Sequence, residues 1–391
     1  MPWSELKPMD QKLLFIADYL RETVSFTDLC SRYGISRKTG YKWVERYEQR
    51  GMDGLNEQSR RPATCPIQVP YTLQQAIIEL RQHRKIRLGA KKIQVLLAQR
   101  FPKETIPSKT TIYNILKREN LIHPRPRSRK ISPYPQPFAP VKQVNELWSA
   151  DFKGQFKLRN GQWCYPLTIM DHKSRYLLCC DGMRNTATPA TQSAFIRLFK
   201  DFGLPQRIRT DNGVPFATRA TGGLSKLAIW WLRLGILPER IEPGKPQQNG
   251  RHERMHRTLK QAVTKPPAAS MTAQQKLFKV FCNEYNYQRP HEALNQETPA
   301  SLYTASPREF PDQLPEMVYP DYYDVKRVGT SGVTNWRNQR LYISHLLEGE
   351  HVGLDEVADG IWKVYFGPIV LGEFDERNVK GHTVPYLTIK L

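Results

Sequence analysis

Apolar positions recur at helical spacing through the first fifty residues. Leu13, Ile16, Ala17 and Leu20 fall on one face of a first helix. A short second helix follows Ser25-Phe26-Thr27, and Tyr33-Gly34-Ile35-Ser36 makes a tight turn. A third helix begins near Arg37 and is expected to bury Tyr41, Val44 and Tyr47. A short helix, a Gly-containing turn and a helix opening on Arg37, Lys38 and Thr39 predict a helix-turn-helix unit. The alternative is a small helical bundle without DNA contacts. The pattern then repeats. Leu73, Ala76, Ile77 and Leu80 mark one helix, Ala90, Ile93 and Leu97 a second, and Ile112, Ile115 and Leu116 a third, capped at Ser108-Lys109-Thr110-Thr111.

From Asn145 the pattern changes to α/β. Apolar strands are predicted over Leu147 to Phe156, Trp163 to Met170 and Arg175 to Cys180, the first interrupted by Asp151. A helix over roughly 188–203 leads to a strand, Gln206 to Thr210, that ends at Asp211-Asn212-Gly213. A helix near Leu224 to Leu234, a short strand near Ile236 and a helix carrying Glu253 complete this segment, which predicts a mixed sheet with helices on its faces. From about Asp321, Val, Tyr, Ile and Trp alternate between Gly turns and predict a small all-β barrel. The fold class is therefore multidomain. The expected segments are helix-turn-helix domains over 1–57 and 71–122, a basic linker over 123–144, an α/β core over 145–270, a helical extension over 271–320 and the barrel over 321–391.

Charge adds a partner to this picture. The 391 residues carry 59 Lys+Arg against 37 Asp+Glu, a formal net charge of +22, which points to a polyanion, nucleic acid before a membrane surface. Residues 71–140 alone hold 15 Lys/Arg against 3 Asp/Glu, whereas residues 1–70 hold 11 against 9. Within that excess, Arg125, Arg127, Arg129 and Lys130 form an extended tail suited to tracking phosphates. No apolar run has transmembrane length, and Met1-Pro2-Trp3-Ser4-Glu5 does not start a signal peptide. Six cysteines without a C-x-x-C pair argue against a disulfide framework and against a zinc finger. A reduced, cytoplasmic setting is expected.

Three carboxylates stand where strands and helices deliver side chains. Asp151 interrupts an apolar strand, Asp211 ends another, and Glu253 lies in the first turn of a helix. A carboxylate in a buried strand is costly unless paired or metal-bound. Three converging carboxylates make a hard oxygen site suited to two Mg²⁺ ions. On the Glu253 helix, Arg257 and Lys260 lie within roughly 40° of Glu253, and Asn249 shares that face if the helix starts early enough. His252-Glu253-Arg254-Met255-His256 also spells the H-E-x-x-H signature of zinc proteases. That alternative needs a third ligand, for which Glu284 is a candidate, and the flanks lack the apolar lining expected of a buried zinc helix.

Leu147-Trp148-Ser149-Ala150-Asp151, Thr210-Asp211-Asn212-Gly213-Val214-Pro215-Phe216 and Pro246-Gln247-x-Asn249-Gly250-x-x-Glu253 occur in a fixed order. That order resembles the catalytic segments of bacterial insertion-sequence transposases, and Asn286 to His291 with Leu294 to Tyr303 resembles the stretch after their core. The resemblance implies an RNase H-like core of the retroviral-integrase type, with Asp151, Asp211 and Glu253 as catalytic metal ligands. It implies two Mg²⁺, with Mn²⁺ able to substitute. It makes Lys260 similar to the family's DNA-contacting lysine. The 41 residues between Asp211 and Glu253 exceed the family's usual gap, the excess lying at Thr218 to Gly223. The function implied is a DNA transposase acting on element ends and target DNA as a homodimer or larger multimer, with no membrane partner. The alternative is a DNA-binding regulator with an inactive core. Arg37, Lys38, Lys109, Arg125, Arg127, Arg129, Lys130, Asn249, Arg257 and Lys260 are the expected DNA contacts.

Overall fold

The computed structural model describes residues 8–57, 68–82, 86–122, 138, 140–218, 223–242, 245–337, 339–378 and 387. The chain divides into two compact units, Met1–Gln68 and Val69–Leu391. The first holds α1 (Pro8–Leu20), α2 (Phe26–Arg32) and α3 (Arg37–Arg50). Ser25 and Ser36 cap α2 and α3, accepting the amide protons of Asp28 and Thr39. Phe15, Ile16, Leu29, Trp43, Val44 and Leu55 form its core. Tyr41, expected inside, is instead 61% exposed and stacks on Phe26 at 4.2 Å. Gly40 takes the inner position, where a Cβ would stand 2.7 Å from the Cys30 sulfur and the helices could not approach.

The second unit begins with α4 (Tyr71–Gln82), α5 (Ala90–Arg100) and α6 (Lys109–Arg118). The predicted apolar positions close on one another: Leu73, Ile77, Ile93, Leu97, Ile112 and Leu116 share a core. Ser108 caps α6 through the Thr111 amide at 3.2 Å, and the Arg81 guanidinium ties the carbonyls of Leu88 and Leu121.

The α/β segment contains β1 (Leu147–Phe152), β2 (Phe156–Lys157), β3 (Trp163–Asp171), β4 (Leu177–Met183), α7 (Thr188–Phe202), β5 (Arg207–Thr210), α8 (Lys226–Arg233), β6 (Leu237–Arg240), α9 (Gly250–Val263) and α10 (Met271–Asn283). In the sheet, β3 pairs antiparallel with β1, β2 and β4, and β1, β5 and β6 run parallel. Alternation along the strands sends Trp148, Ala150, Leu167 and Ile169 to one face, against Phe195 and Phe199 of α7 and Trp231 of α8. The opposite face carries Met170, Leu177 and Cys180, against Met255 and Leu259 of α9 and Phe278 and Phe281 of α10. This mixed sheet with helices on both faces is the α/β architecture expected of the segment. After α10 a π-helical turn, Glu284–Gln288, presents Asn286 to β4, where its amide bonds the Leu177 amide and carbonyl at 2.8 and 2.9 Å and covers an open edge. The chain continues through α11 (Pro299–Leu302).

In the C-terminal segment the expected strands are present as antiparallel sheets. Its strands are β7 (Asp324–Arg327), β8 (Val333–Trp336), β9 (Gln339–Tyr342), β10 (His351–Ala358), β11 (Ile361–Phe366) and β12 (Ile369–Asp375). They form an antiparallel sheet in the order β12-β11-β10-β7 and a separate β8-β9 hairpin, without closure among the described residues. The two pieces share one core, with Trp336 of the hairpin packed on Trp362 and Phe374 of the sheet. Among the described residues no helix is long and apolar enough to cross a membrane, and Cys30, Cys164, Cys179, Cys180 and Cys282 carry free thiols.

Candidate active site

Asp151 lies in β1 opposite Thr168 of β3. Because side chains alternate along a strand, Ser149 and Asp151 leave the face that Trp148 and Ala150 bury and turn toward α9. α9 meets them with His252, Met255, His256, Leu259 and Val263, all buried, at the spacing of a single helical stripe. The Ser149 hydroxyl is 2.8 Å from His252 Nδ1. Thr168 Oγ1 lies 2.7 Å from His252 Nε2, 2.6 Å from His256 Nε2 and 3.1 Å from the Asp151 carbonyl oxygen. One assignment of protons satisfies these four contacts, at the expense of the 3.4 Å bond from the Ser149 hydroxyl to the Met170 carbonyl. Thr168 donates to the Asp151 carbonyl and accepts from both Nε2–H groups, and Ser149 donates to His252 Nδ1. His256 Nδ1 then turns a lone pair toward Asp151 Oδ2, 3.6 Å away. That gap is too long for a hydrogen bond and leaves two electron-rich atoms facing each other.

The electrostatics are equally one-sided. Burial raises Asp151 to about 7, the negative charges of Asp211 and Glu253 push the same way, and Lys153 and the Phe152 amide oppose them. Burial lowers His252 to about 3 and His256 to about 2, so both imidazoles are neutral near pH 7. Oxygen and nitrogen atoms of Asp151, His252 and His256 come within 4.8 Å of one another. Both His252 nitrogens are engaged, which leaves Asp151 Oδ2 and His256 Nδ1 as the free pair. A crowded carboxylate facing a lone pair, with two more carboxylates close enough to be felt, is a donor set that a divalent cation would offset. Asp151 and His256 fit such an ion, while Asp211 and Glu253 act on Asp151 through their charge and lie outside the group of atoms within 4.8 Å.

The other predicted residues fall as follows. Asp211 follows the last residue of β5 and accepts the Gly213 amide at 3.2 Å, while Asn212 donates to the Ile241 carbonyl at 2.7 Å. Glu253, Arg257 and Lys260 form an exposed stripe on α9. Asn249 does not share that exposure. It is 4% exposed at the N-terminal boundary of α9, off that stripe, with its Oδ1 unpartnered among the described residues. Arg37 and Lys38 are exposed in the first turn of α3, and Lys109 is exposed in the first turn of α6. Arg125, Arg127, Arg129, Lys130 and most of the Thr218 to Gly223 excess lie outside the described residues.

The zinc-protease alternative loses both of its glutamates. Glu253 is exposed while His252 and His256 are buried, and Glu284 binds the Ile86 amide at 3.1 Å, so neither joins the histidine pair, whose carboxylate neighbour within 4.8 Å is Asp151. The expectation that α9 lacks an apolar lining is also corrected, since Met255, Leu259 and Val263 continue the histidine stripe into the core. Sequence reasoning missed the residues that aim α9. Buried Arg209 binds Glu239 and reaches the Gln248 carbonyl at 3.3 Å, and Arg251 donates to the His172 carbonyl at 3.0 Å. An arginine inside the apolar strand just before Asp211 was the available signal.

Integrase core domain profiles match residues 141–246 and 234–299. A homeodomain-like domain profile matches residues 39–116, and a helix-turn-helix domain profile residues 11–63. The chain is 25% identical over 228 residues to the insertion element IS407 uncharacterized 31.7 kDa protein of Burkholderia multivorans, spanning 58% of this chain and 78% of that one. It is 24% identical over 256 residues to the insertion element IS476 uncharacterized 39.2 kDa protein of Xanthomonas euvesicatoria, spanning 64% and 69%. Among solved structures, the HTLV-2 integrase catalytic core domain in complex with magnesium aligns with a TM-score of 0.33 and 17% identity, over 41% of this chain and 98% of that one. The chain thus carries an integrase core domain behind helix-turn-helix domains and is similar to the proteins of insertion elements.

Proposed function

We propose that this chain is a DNA transposase that binds the terminal inverted repeats of a mobile element, cleaves 3′ ends by hydrolysis and joins them to target DNA by transesterification. In this reading the segments 1–57 and 71–122 bind the ends, and 145–270 performs the chemistry with two Mg²⁺ held by Asp151, Asp211 and Glu253. The observation that carries it is Asp151, raised to about 7 by burial and by the charges of Asp211 and Glu253. A buried carboxyl held up by two neighbouring carboxylates against Lys153 is the arrangement of a functional site that a cation would relieve. When bound, the metal ions neutralise the scissile phosphate and activate the attacking water or 3′-hydroxyl.

The chain's own residues do the positioning. Ser149, Thr168, His252 and His256 hold β1 and α9 in one register, which fixes Asp151 relative to Glu253. Arg209 and Arg251 set the start of α9. The exposed Arg257 and Lys260, one and two turns beyond Glu253, supply charge to a strand lying over the site. Because transposition joins two ends, the working form is a homodimer or larger multimer on double-stranded DNA in the bacterial nucleoid. The test uses duplexes carrying the element's ends with Mg²⁺. Asp151→Asn, Asp211→Asn and Glu253→Gln should each lower nicking and joining by at least about 10²-fold, with duplex affinity unchanged. A variant that keeps wild-type strand transfer in Mg²⁺ overturns the assignment.

A further inference from the structure

A second cationic site lies away from the acidic cluster. Where α5 and α6 begin, the chain after α10 borders an open pocket of about 530 Å³. Arg87, Lys91, Lys92, Lys109 and Arg289 line it together with one carboxylate, Glu292. That carboxylate is paired with Lys91 at 2.6 Å, both partners being largely exposed, so the pair is weak and easily displaced. Glu292 also acts on Lys92, so five cations of the lining share one carboxylate. Arg289 Nη1 is buried and without a hydrogen-bond partner among the described residues. The N-terminus of α5 opens on the same space, capped by Gly89 with no side-chain bond, so its first amides and its dipole add to the positive field. Buried donors of this kind are retained where an anion satisfies them.

We infer that this pocket seats a backbone phosphodiester of the duplex bound by the second helical unit, clamped between the start of α5 and Arg289. The inference rests on the DNA-binding reading above, and it gives the segment after the core a task that the chemistry leaves open. Its location favours DNA over a small free anion. Lys109 and Tyr113 of α6 line the same space, and a helix-turn-helix unit offers such helix starts to the backbone beside the groove. Burial, with the charges of Arg289 and Arg254, lowers Lys92 to about 7, while Glu292 opposes the shift. Arg254 stands next to Glu253 in α9, so this positive field extends from the helical unit toward the acidic site.

The test is lysine footprinting on the full chain together with binding. Lys92 should react with trinitrobenzenesulfonate at pH 7.5, and a saturating end-sequence duplex should protect it. Lys92→Gln plus Arg289→Gln should weaken duplex affinity about tenfold and flatten the slope of log K against log salt by about 0.9 for each phosphate no longer neutralised. Lys92→Arg plus Arg289→Lys should restore both, and Lys279→Gln, an exposed change elsewhere, should alter neither. An unchanged melting temperature of the Gln pair excludes misfolding as the cause, and a Gln pair that melts early leaves footprinting of the wild type to decide. Lys92 left unprotected by duplex, an unchanged salt slope in a folded Gln pair, or equal protection by millimolar orthophosphate each overturns the clamp. Asp151→Asn protein should show the same protection without nicking. Protection in a wild-type protein that never nicks would sink the proposed chemistry and leave the clamp standing.

Discussion

Asp151 has more negative than positive neighbours, and that imbalance has a measurable consequence in the metal-free protein. Its folded-state value of about 7 lies above the unfolded carboxylate value, so the folded chain binds more protons between roughly pH 4 and 7. Stability from this group is therefore present at low pH and is lost as pH rises through that window. Asp151→Asn removes the loss. In EDTA the variant should melt above wild type, by a margin that grows from pH 4 to pH 7 and then levels off. The full linkage is at most about 4 kcal/mol, an upper bound because the side chain keeps 20% of its surface. Adding Mg²⁺ should raise the wild-type melting temperature and leave the variant unmoved. A variant that melts lower than wild type at pH 8 in EDTA would show that Asp151 is structural. Asp151 itself was legible in the sequence, because a carboxylate inside an apolar strand contradicts its surroundings. Ser149 and Thr168 were not, since single hydroxyls are common on strands and their meaning comes from the register that sets Asp151 against Thr168. His252 and His256 were visible only as half of a zinc motif. Their place on the Met255, Leu259, Val263 stripe was the better signal.

At the scale of elements, α8 ties the core to the C-terminal sheets. Its residues from Leu227 to Leu232 are all buried, which a surface helix does not allow. Leu227, Trp230 and Trp231 pack on the α/β sheet, whereas Ala228, Ile229 and Leu232 pack with Val352, Leu354 and Phe366 of the C-terminal segment. Arg233 adds an ion pair to Glu350 at 3.2 Å. Ile229→Ala should cost about 2–5 kcal/mol in the unfolding of the C-terminal segment, read by denaturant melts followed at Trp362 and Trp336. The acidic cluster lies on a different layer, so metal-induced stabilisation of the core should persist. A loss of the Mg²⁺ response in this variant would show that the C-terminal sheets hold the active site together. The same helix shows where sequence reading stopped. Periodicity identified α8 and the later strands, because burial of one face imposes it. It did not give the pairing of those strands. Alternation fixes which face is buried and says nothing about which edge meets which, so a barrel and a sheet with a hairpin read alike.

For the whole molecule, charge and folding independence make separate demands on the N-terminal helices. Each helical unit has its own apolar core, Phe15 to Leu55 in one and Leu73 to Leu116 in the other. Residues 1–140 carry 26 Lys/Arg against 12 Asp/Glu, most of the excess of the chain. A fragment ending at 140 should therefore fold and bind end-sequence duplex without the core, with strong salt dependence. On the clamp proposed above, it should bind duplex less tightly than the full chain. The second helical unit docks on the core and the segment after it through the Ile86 amide to Glu284 at 3.1 Å and through Lys91 to Glu292, and the fragment lacks Arg289 along with these partners. Its log K against log salt slope should accordingly be shallower than that of the full chain, by about 0.9 for each phosphate that Arg289 and its neighbours would neutralise. Neutralising Arg125, Arg127, Arg129 and Lys130 together in the fragment should flatten the slope further by the same increment per phosphate. Anisotropy titrations from low to moderate salt measure both steps. A slope unchanged by the four substitutions would mean that the basic tail does not touch the duplex, and a fragment matching the full chain would mean that the core adds nothing to the grip.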